Sequence, residues 1–91
     1  MRYSFDPVKR ATNLRKHGLD LADARQIIEG AFSVTIEDQR YDYGEERFMT
    51  LGPLGGRLVV VITAESDDDV RVISMREATC DEKEGYRAAA G

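Results

Sequence analysis

The sequence predicts an α+β domain: an antiparallel β-sheet with two N-terminal helices and one C-terminal helix packed on it, in the order β-α-α-β-β-β-β-α. Three observations carry that prediction. Two helix-opening aspartates, Asp6 and Asp20, come before any sustained apolar run. Between residues 47 and 75 the pattern changes to short apolar or alternating segments, broken by PLGG at 53–56 and ESDDD at 65–69. Thr79-Cys80-Asp81-Glu82 then has the form of a capping box, the signature of one more helix start.

Taken in order, Arg2 to Phe5 alternates polar and aromatic residues and reads as a short strand. Asp6 caps a first helix with Pro7 at its first position, where the missing N–H costs nothing. Gly18 suits the left-handed residue beyond its end, and Lys16 and His17 complement the negative end of the helix dipole. At 100° per residue, Val8, Ala11 and Leu14 share one face, expected to be buried; Lys9, Asn13 and Lys16 fall opposite, on a polar stripe that is either solvated or a docking surface. Asp20 caps a second helix that buries Leu21, Ala24 and Ile28 and closes at Gly30. Phe32 to Ile36 is a strand, and an acidic, tyrosine-bearing loop spans 37 to 46. Arg47 to Leu51 is the next strand. Leu58 to Ile62 is apolar on both faces, as a central strand covered on both sides would be. Val70 to Met75 returns antiparallel, and the last helix runs from the capping box through Tyr86.

Composition narrows the function. Ninety-one residues suit a single domain, with 42% hydrophobic and 33% charged side chains. No apolar run approaches the ~20 residues of a membrane span, and MRYSFDPVKR lacks the apolar core of a secretory signal, so a cytoplasmic location is expected. One cysteine and one histidine argue against a zinc site of the usual kind, and Asp67-Asp68-Asp69 lacks the glycine and distal glutamate of a calcium loop. No glycine-rich phosphate cradle appears. Neither a metal nor another cofactor is therefore expected. Net charge is −4, but unevenly spread: residues 1–25 hold six basic and three acidic side chains, and the remainder seven basic and fourteen acidic. Such a basic front either presents an anion-binding face or only solvates the surface.

A few residues carry chemistry. His17 is the one side chain whose ordinary pKa lies near neutrality, so it either transfers a proton during phosphodiester cleavage or caps the carbonyls of its helix. Arg76 ends a strand, and its guanidinium matches two phosphate oxygens; Arg47 and Arg57, at neighbouring strand starts, either join it or pair with Glu45, Glu46 and Glu77. Tyr3, Phe5, Tyr41, Tyr43 and Tyr86 offer stacking surfaces, with Phe5 and Tyr86 expected in the core and Tyr41 and Tyr43 at a partner surface. Cys80 reads as ordinary helix-face packing.

The chain resembles the BrnT family of toxins from bacterial type II toxin–antitoxin pairs. The resemblance runs from Tyr3 to Tyr86. It rests on Phe5-Asp6-x-x-Lys9 with Asn13, on Lys16-His17-Gly18-Leu19 and Ala24, and on Glu46-Arg47-Phe48, Gly52, Leu58-Val59-Val60-Val61 and Thr63. It continues through Arg71-Val72-Ile73-Ser74-Met75-Arg76 and closes with Ala78, Thr79, Glu82 and Tyr86. It implies a RelE-like fold and a metal-independent endoribonuclease that halts translation, in association with the ribosome or not. It also implies a BrnA-like antitoxin, ribbon-helix-helix and DNA-binding, as partner. Lys16, His17, Arg76 and Arg47 become the catalytic candidates, and Lys9, Asn13, Arg57 and Tyr86 the RNA-binding ones. The chain departs from the family pattern at Phe5, Met75 and Glu65, and in the acidic start of its last helix. Fewer cations imply weaker phosphate binding. The alternative is a module of weak or no catalysis that binds its antitoxin and takes part in operon autoregulation.

Overall fold

A computed structural model describes residues 2–39 and 44–90. The strands are β1 (Arg2–Ser4), β2 (Val34–Glu37), β3 (Arg47–Leu54), β4 (Arg57–Glu65) and β5 (Asp69–Glu77). The helices are α1 (Pro7–His17), α2 (Ala24–Ile28) and α3 (Cys80–Ala90), with a 3₁₀ turn at Leu21–Asp23. The order is the expected one, but the sheet is mixed. Its spatial order is β1-β5-β4-β3-β2, and β1 runs parallel to β5 while every other pairing is antiparallel. A long connection returns the chain from β1 to the far edge, which lets the first strand lie beside the last in the same direction.

The helix signals act as read. The Asp6 carboxylate accepts the Val8 N–H at 2.8 Å and the Lys9 N–H at 3.4 Å. At the other end Gly18 adopts φ 67°, which only glycine enters freely, and its N–H reaches the Leu14 carbonyl at 2.8 Å. Thr79 and Glu82 close a reciprocal box at the start of α3: Thr79 Oγ1 accepts the Glu82 N–H at 3.2 Å and Glu82 Oε1 accepts the Thr79 N–H at 2.9 Å. The second helix begins as the 3₁₀ turn capped by Asp20, and Ile27 rather than Ile28 is its fully buried isoleucine.

β4 is central, and its residues from Val59 to Ala64 are buried. Val59 and Val61 join Val72, Met75, Leu21 and Ile27 under α2; Val60 and Ile62 join Met49 and Leu51 under α3. Gly52 on β3 is where α2 comes closest. A Cβ there would stand 2.8 Å from the Ile27 side chain, so the helix can seat at this depth only over glycine.

Two features govern where charges point. First, α1 faces the opposite way from the expected one. Val8, Ala11 and Leu14 are exposed, and the buried residue of the helix is Asn13. β1 pairs β5 only as far as Arg71, and beyond that point α1 takes over the strand's edge. There Asn13 Oδ1 accepts the Met75 N–H at 3.0 Å while its Nδ2 donates to the Leu19 carbonyl at 2.9 Å. A buried N–H on an edge strand needs such a partner, and an amide supplies it where an apolar residue would not. Second, the β4–β5 ladder shifts register: Ile62 pairs Ser74 but Thr63 pairs Val72, leaving Ile73 as a bulge. Arg71 and Arg76 are an odd number of residues apart and would face opposite ways in a regular strand. The extra residue puts both on the α3 side, Arg71 opposite Ala64 and Arg76 opposite Val60.

Candidate functional site

The α3 side of the sheet carries Arg47, Arg71 and Arg76. Arg47, Ala64 and Arg71 form one row across β3, β4 and β5. Ala64 is the small residue between them, and the Glu45 carboxylate bridges both guanidiniums, at 3.3 Å to Arg47 and 2.8 Å to Arg71. Further along β5, Arg76 makes a two-point contact with Glu82 of α3, Nη1 to Oε1 at 2.7 Å and Nη2 to Oε2 at 2.8 Å. The Arg76 hydrogen bonds, with the capping bonds from Thr79, hold the Glu82 carboxyl down to about 2 from an ordinary 4.5. Arg76 Nη1 also reaches the Glu77 carbonyl at 3.4 Å.

At the start of β4, Arg57 shares a pocket of about 340 Å³ with Glu77, Lys83, Tyr86 and Arg87. Three cations there face one carboxylate, and that pairing is loose, with Arg57 Nη1 3.9 Å from Glu77 Oε1. The Tyr86 ring is half-buried, and its hydroxyl donates to the Phe32 carbonyl at 2.5 Å, anchoring α3 to the entry of β2. Cations therefore occur at three levels of β4, beside residues 57, 60 and 64. At ~3.3 Å per strand residue those levels span about 23 Å.

The remaining candidates lie elsewhere. Lys9, Lys16 and His17 are exposed on α1, at the β5 edge. Asn13 is not at the surface: burial and two hydrogen bonds commit it to holding α1 on β5, which is a structural job and corrects the expectation that it touches RNA. That same clip holds Asn13 of α1 against Met75, the β5 residue that precedes Arg76, and Lys16 and His17 follow Asn13 by about one helical turn. Glu45 and Glu77 do pair with Arg47 and Arg57, as the blander expectation had it, while Arg76 takes Glu82. Tyr3 and Phe5 are packed on the α2 side with arginines over their faces, Arg25 at 5.7 Å and Arg10 at 5.5 Å, so neither ring is open for stacking. Tyr41 and Tyr43 lie outside the described residues. Cys80 is exposed rather than packed. Among the described residues, no group of three or more His, Cys, Asp or Glu is placed to hold a metal, and no helix is long and apolar enough to cross a membrane.

Arg71, Lys83 and Arg87 are not among the site residues expected from the sequence, although Arg71 opens one of the fragments that carry the resemblance. Lys83 and Arg87 are four apart on one helix, a spacing that puts both on one face with Tyr86 beside them. Arg71 had no such signal, because its direction depends on the bulge at Ile73.

The structure is a small α+β domain with Arg47, Arg71 and Arg76 on one side of its sheet, each paired with a carboxylate. The chain belongs to the BrnT family: the model of that family, described as a ribonuclease toxin, BrnT, of type II toxin–antitoxin systems, matches residues 5–82. An antitoxin partner goes with membership of such a system. No curated protein matches the chain.

Proposed function

We propose that this toxin cleaves RNA without a metal and halts translation, with the strand lying along the α3 side and its scissile phosphate at Arg76. The observation that carries this reading is the run of cations at three levels of β4, with Arg76 at the middle level between the Arg57 pocket and the Arg47–Arg71 row. The ribose 2′-oxygen attacks the adjacent phosphorus, a new P–O bond forms, and the bond to the 5′-oxygen breaks. The 2′-OH proton leaves as the attack proceeds and the departing oxygen is protonated, so the products are a 2′,3′-cyclic phosphate and a 5′-hydroxyl. His17 is the proton carrier, approaching from the β5 edge with Lys16 beside it. Arg76 stabilises the charge of the phosphorane, a contribution of up to ~3 kcal/mol for one well-placed donor. Arg47 and Arg71 hold the RNA on one side of the cut; Lys83 and Arg87 of α3 hold it on the other, with the ring of Tyr86 bordering the same pocket and Arg57 reaching it from the α2 side of the sheet.

One observation favours a second reading, a binding module of weak catalysis that serves antitoxin pairing and operon autoregulation. The Arg76 guanidinium is already satisfied by Glu82 at both of its terminal nitrogens. Incubating the purified chain with RNA in EDTA separates the two readings. Fragments ending in 2′,3′-cyclic phosphate, lost in Arg76→Ala and strengthened in Glu82→Gln, support the nuclease. Absence of cleavage in wild type and Glu82→Gln alike, with ribosomes present, leaves the module.

A further inference from the structure

The outward face of α1 is the strongest unexplained surface. Val8 is 73% exposed and Leu14 48%, two of the four large hydrophobic residues exposed among those described. With Ala11 they form one stripe along an 11-residue helix. The helix carries Lys9, Arg10, Arg15 and Lys16 and no carboxylate of its own. Arg10 is taken by Asp20 at 2.7 Å, whereas Lys9, Arg15 and Lys16 pair with no carboxylate among the described residues. Arg15 projects from within the apolar stripe, while Lys9 and Lys16 lie round the helix from it.

From this face we infer a docking site for the antitoxin: α1 receives an amphipathic helix whose apolar side is bordered by aspartates and glutamates. The inference rests on the reading of the chain as a toxin with an antitoxin partner. Charge complementarity selects the occupant, since an apolar stripe beside unpaired cations matches an apolar stripe beside carboxylates. RNA would answer the cations but would gain nothing from covering Val8 and Leu14. A helix seated here also lies across the turn that carries Lys16 and His17, so pairing and neutralisation become one event.

The test uses the full-length toxin and the protein encoded by the reading frame adjoining its own, titrated by calorimetry. Val8→Asp with Leu14→Asp is expected to weaken binding at least a hundredfold, and Arg15→Glu about tenfold, with unfolding midpoints unchanged because all three residues are exposed. Arg15→Glu keeps the test independent of any folding defect in the double variant. Wild-type affinity in both variants overturns the site while leaving the toxin reading intact. Unchanged antitoxin affinity with lost RNA binding, or with a dimer turned monomer, assigns the face to RNA or to a second copy and equally overturns it. A wild-type toxin that does not bind the neighbouring protein fails earlier, at the partner reading itself.

Discussion

The helices α1 and α3 have the same length, 11 residues each, and neither buries a large apolar side chain. They are nevertheless fastened to the sheet by different physics. α1 holds on through a neutral amide, Asn13, bridging the Met75 N–H and the Leu19 carbonyl. α3 holds on through an ion pair, Glu82 with Arg76, reinforced by the Tyr86 hydroxyl on Phe32. The amide is buried and carries no charge, so its loss strands two backbone groups. The ion pair is partly solvated, so its net contribution is small and its value lies in where it holds the guanidinium. One helix is positioned for stability with its cations left outside; the other draws a cation of the candidate site onto itself.

Four tests break or sharpen that contrast. Asn13→Ala is expected to cost the most, about 3 kcal/mol in urea unfolding, because a buried N–H and a buried carbonyl both lose their partner. A loss below about 1 kcal/mol would mean that α1 is held by something else. Next, Lys83→Ala with Arg87→Ala is expected to lower RNA affinity about tenfold and to flatten the dependence of log affinity on log salt by about 1.4, two phosphate contacts at ~0.7 each for a single strand. The same charges removed from α1, at Lys9 and Arg15, leave that slope almost unchanged if RNA follows the α3 side.

Glu82→Gln comes third. Glutamine still serves a capping box, so the change removes the charge and spares the helix start. The sign follows from the depressed carboxyl: with Glu82 at about 2 in the folded chain against an ordinary 4.5, its stabilisation is complete above 4.5 and is lost as pH falls from there through 2. Side-chain exposures of 30% for Arg76 and 21% for Glu82 admit solvent screening, so the loss expected across that window is about 1 kcal/mol. Thermal unfolding followed from pH 5 to 2 would show it in wild type and not in Glu82→Gln. Smallest of all, Val8→Ser and Leu14→Ser are expected to change stability by less than about 0.5 kcal/mol each, as surface substitutions do. A core-sized loss would restore the inward-facing stripe that the periodicity first suggested.

That stripe shows where sequence reasoning stops. Capping was legible because it is local: Asp6, Pro7 and Gly18 bound α1, and Thr79 with Glu82 open α3, whatever lies above or below them. The central strand was legible because Val59 to Ile62 is apolar on both sides. The orientation of α1 was not, since periodicity assumes that a helix packs by an apolar face, and this one packs on a strand edge whose need is a hydrogen-bond acceptor. The direction of β1 was also hidden, because a three-residue strand carries no mark of parallel or antiparallel pairing. At the candidate site Arg76 and Arg47 could be named as strand-end cations, and the sheet sets both on one side. That Glu82 meets Arg76 was hidden in the fold of α3 back over β5, although both residues stood in plain view six positions apart.

The supernumerary residue at Ile73 has a consequence for comparing this chain with others. Side-chain direction in a strand works like a parity bit, and one inserted residue flips it for everything downstream. A relative of the same length whose β5 ran without the bulge would match Arg76 letter for letter and still send it through the sheet to the α2 side. Whether two such chains share chemistry is decided by which residues of β4 their arginines stand opposite, before any similarity score is consulted.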